Sequence, residues 1–342
     1  MNGSCQAAVI DRFGDAGQLQ LRELPLPRPG RGQIVVRVEA ASVNPIDVRR
    51  RAGYGRGLLS LLGAARLPLV LGNDFAGSVC AVGSGVRDWR EGDAVFGAKP
   101  PDSRGSHASH VVVDARHAIR QPPGIQAVHL AALPYNFLTV WRALAGAGIT
   151  PCTASGRRVL VHGASGGLGL IALRVLNFMG AQVTAVAGAA GLEACRRAGA
   201  HEVLDRHATP LSALPAGYAA TLNFANWDDE AALSGLLTAG ALGHAGTVHP
   251  LLGQVDRHGL AGGLARAWLQ RRRMAARLPS GARYAWTVFR PCELALRRLA
   301  ELAPLLDVPG TIVSYPLVQA DLAHRHVERR EPGRVVLLPH LT

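Results

Sequence analysis

The chain has 342 residues, length enough for about two domains at roughly 100–200 residues each. With 48% hydrophobic and 18% charged residues it can build a packed core, which excludes long-range disorder. Lys+Arg 37 against Asp+Glu 24 gives +13, and Lys99 is the only lysine, so 36 of the 37 basic residues are arginine. Such a surplus suits an anionic partner: a nucleotide, an acidic substrate, nucleic acid or a membrane surface. A GC-rich coding bias produces the same excess of Arg, Ala and Gly.

Residues 1–125 carry short apolar runs at Gln6–Ile10, Gln33–Val38, Gly77–Val82, Ala94–Gly97 and His110–Val113, separated by turn formers such as Pro27–Gly32 and Glu91–Asp93. That punctuation predicts an all-β unit. After Pro122–Pro123 helical spacing appears in Ala127–Trp141 and Gly167–Met179. Strands are predicted at Arg158–His162, Gln182–Ala187, His201–Leu204, Ala220–Phe224 and Ala245–His249. Strands alternating with helices imply a parallel α/β sheet. From Pro291 the chain offers a helix Glu293–Leu306, a strand Gly310–Leu317, a short helix and a closing strand Arg334–Leu338. The fold class is α/β: a β-rich domain, an inserted parallel-sheet domain, and a return to the first.

The strongest motif runs from Arg158 to Gly169, where a buried strand ends at His162 and Gly163-Ala164-Ser165-Gly166-Gly167-Leu168-Gly169 leads into a helix. A helix N-terminus presents unpaired N–H groups and positive dipole to phosphate, and glycines let backbone approach a pyrophosphate. The spacing is G-x-x-G-x-x-G, so the strand–turn–helix context carries the signal. The next strand ends Val186-Ala187-Gly188-Ala189, without the acid that bonds a ribose 2′-OH in NAD sites. That absence, with Arg196, Arg197 and Arg206 nearby, favours NADPH.

Cys5, Cys80, Cys152, Cys195 and Cys292 form no CxxC pair and lie far apart. They predict isolated thiols in a reducing compartment and no metal site. The N-terminal segment enters a strand at once, and no apolar run is long enough to span a membrane, so the expectation is a cytoplasmic protein.

The segments Ala41–Asp47, Leu71–Gly77, Gly92–Phe96, Leu133–Trp141, Gly163–Gly169 and the tail around His324–Leu338 resemble the zinc-independent quinone oxidoreductase branch of the medium-chain dehydrogenase/reductases. Within it the chain looks most like the reticulon-interacting mitochondrial reductases and their bacterial relatives, a likeness that continues through Gly259–Gly263 and Arg283–Trp286. The resemblance implies a GroES-like β-barrel domain from residues 1–125 and 291–342, and a Rossmann doubly wound parallel-sheet domain from residues 126–290. It also implies NADPH-dependent reduction of a quinone or α,β-unsaturated carbonyl, at a cleft where the domains meet. Zinc-dependent members carry Gly-His-Glu where this chain has Gly72-Asn73-Asp74, so no metal is expected. Dimerisation is usual in that family, and a homodimer is the assembly it implies.

By the same resemblance, Asn44 faces the nicotinamide and can bond an acceptor carbonyl or the carboxamide, while Asp47 anchors the segment through backbone N–H groups. Tyr54 lies near the place of a proton-donating tyrosine in related enoyl reductases, one residue out of register; a phenol of pKa about 10 is protonated at neutral pH and can donate to an enolate. Tyr135 replaces an aliphatic residue and either shapes the pocket or donates instead. Thr139 matches a threonine beside the nicotinamide ribose. Arg206 stands where relatives often have a tyrosine on the 2′-phosphate. Two departures bear on activity: Asn223-Phe224-Ala225-Asn226 replaces Asp-x-Val-Gly-Gly, at a cofactor-facing turn beginning with Asn223, and Gly191 replaces a lysine. Arg266, Arg271–Arg273, Arg277 and Arg283 form a basic run that reads as a solvated face or as a site for a phosphopantetheine, CoA or acidic lipid. Two other functions remain open: an enoyl-thioester or biosynthetic tailoring reductase, and a non-catalytic NADPH-binding protein contacting RNA or a protein. No aromatic-interleaved basic motif points to RNA.

Overall fold

The computed structural model describes residues 3–306 and 311–341. Its first part runs β1 (Ser4–Ile10), β2 (Gln20–Pro25), β3 (Gln33–Ser42), α1 (Pro45–Arg51), α2 (Arg56–Leu59), β4 (Leu69–Val70), β5 (Asp74–Val82), β6 (Ala94–Ala98), β7 (His110–Asp114), β8 (Ala118–Arg120) and α3 (Ala127–Ala131). Alternation in β3, where Ile34, Val36 and Val38 turn inward beside Phe75, Val95 and Val111, creates the core of this unit.

The middle of the chain follows as α4 (Pro134–Gly146), α5 (Pro151–Ala154), β9 (Arg158–His162), α6 (Gly167–Phe178), β10 (Gln182–Ala187), α7 (Leu192–Arg197), β11 (Glu202–Asp205), β12 (Ala220–Asn223), α8 (Glu230–Gly235), β13 (Gly243–Gly246), α9 (Leu251–Ala275) and β14 (Arg283–Trp286). These strands form one sheet in the order β11-β10-β9-β12-β13-β14, every pair parallel. The order reverses between β9 and β12, the point where such sheets bind ligands beyond the carboxyl ends of their strands. Buried Leu160, Val186, Tyr218 and Leu233 pack on one another in this unit.

The chain closes with α10 (Glu293–Leu302), β15 (Ile312–Pro316), α11 (Ala320–Glu328) and β16 (Arg334–Leu338). β15 and β16 join the first unit's larger sheet, ordered β15-β16-β3-β5-β6-β8 with β7 also paired to β3; β2-β1-β4 is a separate small sheet. Contacts divide the chain into residues 1–135 with 290–342, and residues 136–289.

Several expected elements differ. Ala127–Trp141 is two helices, because Pro134 has no N–H to continue α3 and biases Leu133 away from the helical region; it instead starts α4. The strand expected at Ala245–His249 is β13, earlier by two residues at its start and set by pairing with Ala220–Asn223. The strand expected from Gly310 begins at Ile312, and Gly310 itself lies outside the described residues. The longest helix, α9, and the sheet-edge strand β14 have no counterpart among the predicted elements.

Candidate active site

In the first unit, β3 ends at Ser42 and α1 starts at Pro45, a first helical position that suits proline. Asp47, in the first turn, folds back. Its Oδ2 accepts from the Asn44 N–H at 2.8 Å and its Oδ1 from the Gly72 N–H at 3.2 Å, so one fully buried carboxylate ties α1 to the loop entering β5. Gly72 has φ +96, and a Cβ there would sit 2.4 Å from the His107 ring, so this approach requires glycine.

Asp74 is the centre of the cluster, and it is fully buried. Its Oδ2 accepts from the Ser42 hydroxyl and from Asn44 Nδ2 at 3.0 Å; its Oδ1 accepts from the Tyr135 N–H at 2.7 Å. Asn44 Nδ2 also donates to Ser42 Oγ at 3.0 Å, and its Oδ1 accepts from Arg334 Nη2 at 3.2 Å. Arg334 Nη2 reaches the Ala132 carbonyl at 3.0 Å as well. Asn44 Nδ2 thus gives a shared hydrogen bond to Ser42 Oγ and Asp74 Oδ2, which are bonded to each other, and its Oδ1 keeps a second lone pair beside Arg334.

Burial raises the Asp74 carboxyl to about 7, although the Ser42 and Asn44 hydrogen bonds and the Arg334 charge pull it down. Burial also raises the Tyr135 phenol, with the Asp47 and Asp74 carboxylates adding to the effect, so it keeps its proton throughout the physiological range. Behind this cluster His107 Nε2 lies 3.0 Å from the Ser42 carbonyl, and His324 Nε2 lies 3.4 Å from His107 Nδ1. A carbonyl only accepts, so His107 carries its proton on Nε2; burial keeps both rings neutral.

The structure thus brings Asn44, Asp47 and Tyr135 together around Asp74. Tyr54 joins none of these hydrogen bonds: the Arg49 guanidinium lies over its ring at 3.7 Å, and it lines a small crevice with Phe13 and Leu59. A separate cavity of about 770 Å³, bordered by Leu24, Leu26, Arg66 and Arg104, includes none of the predicted site residues.

In the second unit the predicted cofactor residues sit at the carboxyl ends of neighbouring strands. After His162 the chain turns at Gly163, whose φ is +76, and the N–H groups of Gly163 and Ala164 both bond the Val186 carbonyl at 3.1 Å. Gly166 precedes the first turn of α6, whose N–H groups have no intrahelical carbonyl to bond. A Cβ on Gly169 would stand 2.4 Å from the carbonyl oxygens of both Gly163 and Ala164, so glycine alone lets the helix seat against the loop. Gly166 would meet only the Gly163 oxygen, at 3.4 Å, and Gly188, after β10, would meet nothing within 4 Å. This open turn is the cradle that the sequence motif assigns to a pyrophosphate, with free space at Gly188. Arg206 follows β11, exposed, with its N–H on the Ala187 carbonyl at 2.9 Å. Thr139 is buried on α4.

Asn223 requires a correction. Its side chain is fully buried, and its Nδ2 donates to the Asn226 carbonyl and to Glu230 Oε2, both at 2.7 Å, while Oδ1 accepts from the Ala225 N–H at 3.2 Å. The amide shapes the turn and is not presented toward the loop as the sequence suggested. That turn also touches the cradle, since a Cβ on Gly163 would lie 3.0 Å from the Ala225 nitrogen. It is pinned from the other side by His162, whose Nε2 bonds Asp229 Oδ2 at 2.7 Å, an oxygen that also accepts from Asn226 Nδ2 at 2.7 Å. Gly191 is equally constrained: a Cβ there would stand 2.3 Å from the Ser165 Cβ, so the missing lysine could enter only if Ser165 moved.

Sequence reading missed Asp74, Ser42, Arg334 and the His162–Asp229 pair. An acid opening an otherwise apolar strand (Asp74-Phe-Ala-Gly-Ser-Val) was the available signal for the first. Among the described residues no group of three His, Cys, Asp or Glu side chains could hold a metal ion, and no helix is long and apolar enough to cross a membrane.

Residues 30–123 match the alcohol dehydrogenase GroES-like domain. Mouse NAD(P)H oxidoreductase RTN4IP1, mitochondrial, is 31% identical over 341 residues, spanning 94% of this chain and 86% of that protein. The Arabidopsis thaliana chloroplast envelope quinone oxidoreductase homolog is 32% identical over 219 residues, spanning 62% of this chain and 65% of that protein. Among solved structures, the quinone oxidoreductase from Coxiella burnetii superposes with a TM-score of 0.82 at 24% identity, covering 98% of this chain and 99% of that one.

Proposed function

This chain belongs to the zinc-independent quinone oxidoreductase branch of the medium-chain dehydrogenase/reductase superfamily, and from that premise we propose that it is an NADPH-dependent, metal-free reductase of a quinone or an α,β-unsaturated carbonyl. That it is an oxidoreductase with a nicotinamide cofactor follows from its relatives. The observation carrying the finer reading is the cradle after β9, bordered by Gly188 in place of an acid and by exposed Arg206.

When bound, the cofactor supplies hydride from its nicotinamide C4. The first-turn N–H groups of α6, Gly167 to Gly169, which have no intrahelical carbonyl, would hold its pyrophosphate. Gly188 leaves space where a carboxylate would repel a 2′-phosphate, and Arg206 supplies the cation for it. Thr139, buried on α4, would lie beside the nicotinamide ribose. Asn223, with His162 and Asp229, keeps the turn after β12 pressed on Gly163.

In the first unit, Asp47 fixes α1, and Asn44, held by Ser42, Asp74 and Arg334, offers the second lone pair of its Oδ1 to an amide N–H. Protonation of the reduced acceptor is assigned to Tyr135, whose phenol holds its proton and whose backbone is anchored to Asp74; Tyr54 is a wall residue. The five cysteines are all free, which supports a reducing compartment, the cytoplasm in this reading.

The test is NADPH oxidation against a panel of benzoquinone, naphthoquinone, simple enones and a crotonyl thioester. Turnover of a quinone or enone is expected. Turnover of the thioester alone would move the substrate class to carrier-bound enoyl groups, and no turnover despite tight NADPH binding would overturn the assignment.

A further inference from the structure

The second unit's longest helix has a side that its own core does not use. α9 breaks at Gly259, where φ is 69 and ψ 176, so residues 260–275 form a separate helical arm. That arm buries only Gly263, Ala267 and Met274. Gly263 lies against Val255, where a Cβ would come within 2.4 Å of the Val255 Cα, so the arm is held close along one narrow stripe. Elsewhere it faces solvent, and beside Arg266 it exposes large apolar side chains: Leu260 and Leu264 are each 42% exposed, Trp268 58% and Leu269 40%. Leu260, Leu264 and Trp268 follow one another at i, i+4 and i+8, a continuous row along the helix. One turn further come Arg271, Arg272 and Arg273, all exposed, with the Arg272 guanidinium 5.4 Å from the Trp268 ring.

The charge around this row has one sign. From Arg257 to Cys292 the sequence contains eight arginines and no aspartate or glutamate. A solvated face has no use for a row of leucines and a tryptophan, and an apolar contact has no use for clustered arginines. The two together match a helix lying in the plane of a membrane interface, with leucine and tryptophan in the acyl boundary and arginines snorkelling to anionic headgroups. RNA would satisfy the arginines and leave Leu260, Leu264 and Leu269 in water.

We propose that the Leu260–Leu264–Trp268 row of α9, with Arg271–Arg273, docks this protein on the surface of an anionic phospholipid membrane. The inference is independent of the proposed reaction: docking and turnover are measured separately, and either can fail alone.

Co-sedimentation with phosphatidylcholine vesicles containing phosphatidylglycerol, against vesicles of phosphatidylcholine alone, tests it. Binding is expected only to the first and should weaken with salt. Replacing Arg271, Arg272 and Arg273 together by Gln should weaken binding roughly a hundredfold. The double variant Leu264→Ser, Trp268→Ser should weaken it at least about tenfold. Both variants sit on exposed positions, and unchanged thermal melting certifies their fold. The tryptophan emission should shift to the blue with phosphatidylglycerol vesicles in the wild type and lose that shift in Trp268→Phe. The proposal is overturned by any of four results: no binding to the anionic vesicles, binding indifferent to Leu264 and Trp268, retention of RNA but not vesicles, or a dimer in solution that Trp268→Ser dissolves.

Discussion

Replacing Gly169 by alanine adds one methyl group where the backbone of the cradle leaves no room. The added Cβ would meet two carbonyl oxygens, of Gly163 and Ala164, at 2.4 Å, against 3.4 Å for ordinary contact, so helix and loop must separate by about 1.0 Å. Both obstacles are main chain and cannot rotate away. Overpacking of this kind costs about 1–3 kcal/mol, which for a domain of this size lowers Tm by roughly 2–12 °C. The same displacement moves the N–H groups that hold the pyrophosphate, and a misplacement of about 1 Å weakens function on the order of a hundredfold. Calorimetric titration with NADPH reads the binding, and a melting curve reads the stability. Gly235→Ala is the internal control: it is exposed near the end of α8, its Cβ would meet nothing within 4 Å, and it should bind NADPH as the wild type does. Wild-type affinity in Gly169→Ala, or equal damage in Gly235→Ala, would refute the reasoning.

Asp74 makes stability pH-dependent. Its folded pKa of about 7 stands above the ordinary 3.8, so the native state holds this proton more tightly, and stability falls as pH rises between those values. At about 1.4 kcal/mol per pH unit the loss is roughly 4 kcal/mol, and Asp74→Asn should flatten that slope in Tm plotted against pH; an unchanged slope would remove Asp74 as its source. Arg206→Gln should raise KM for NADPH by about tenfold and leave KM for NADH unaltered, the loss expected of one charge-assisted contact. Tyr135→Phe should lower enone turnover at least about tenfold with KM little changed, while Tyr54→Phe stays within about twofold; the opposite pattern would transfer the donor role. Burial pushes the Glu230 carboxyl up, but His244, Asn223 and Tyr284 together outweigh it and hold it down. Glu230→Ala leaves those partners buried without a counterpart and should destabilise the protein by about 3–5 kcal/mol in urea unfolding.

What could be read from the residues was what local pattern encodes. The strand–glycine–helix run of Arg158–Phe178 and the alternation of Gln33–Val38 have periods that reveal themselves, and they lie where expected. The α9 arm escaped because its apolar residues, Leu260, Leu264 and Trp268, point to solvent, and helical periodicity is recognised by a buried stripe this arm builds from Gly263, Ala267 and Met274. β14 escaped because Arg283–Trp286 becomes a strand only by pairing with Gly243–Gly246. In the site, Asn44 and Asp47 are three residues apart and could be seen together, whereas Asp74, Tyr135 and Arg334 converge from distant parts of the chain through long-range pairing. The role of Asn223 was beyond sequence reasoning, since it depends on Glu230 closing over the turn from α8.

The proposed reaction passes a hydride from NADPH to a carbon or oxygen electrophile without a metal. The most direct measurement uses NADPH deuterated at the transferred C4 position, mixed with an enone in the presence of a chelator, with the product analysed by mass spectrometry. One deuterium per reduced enone, at the β carbon, is the predicted result. Stoichiometric NADPH binding with no deuterium transferred to any enone, and no oxidation of the cofactor by any quinone, would contradict it.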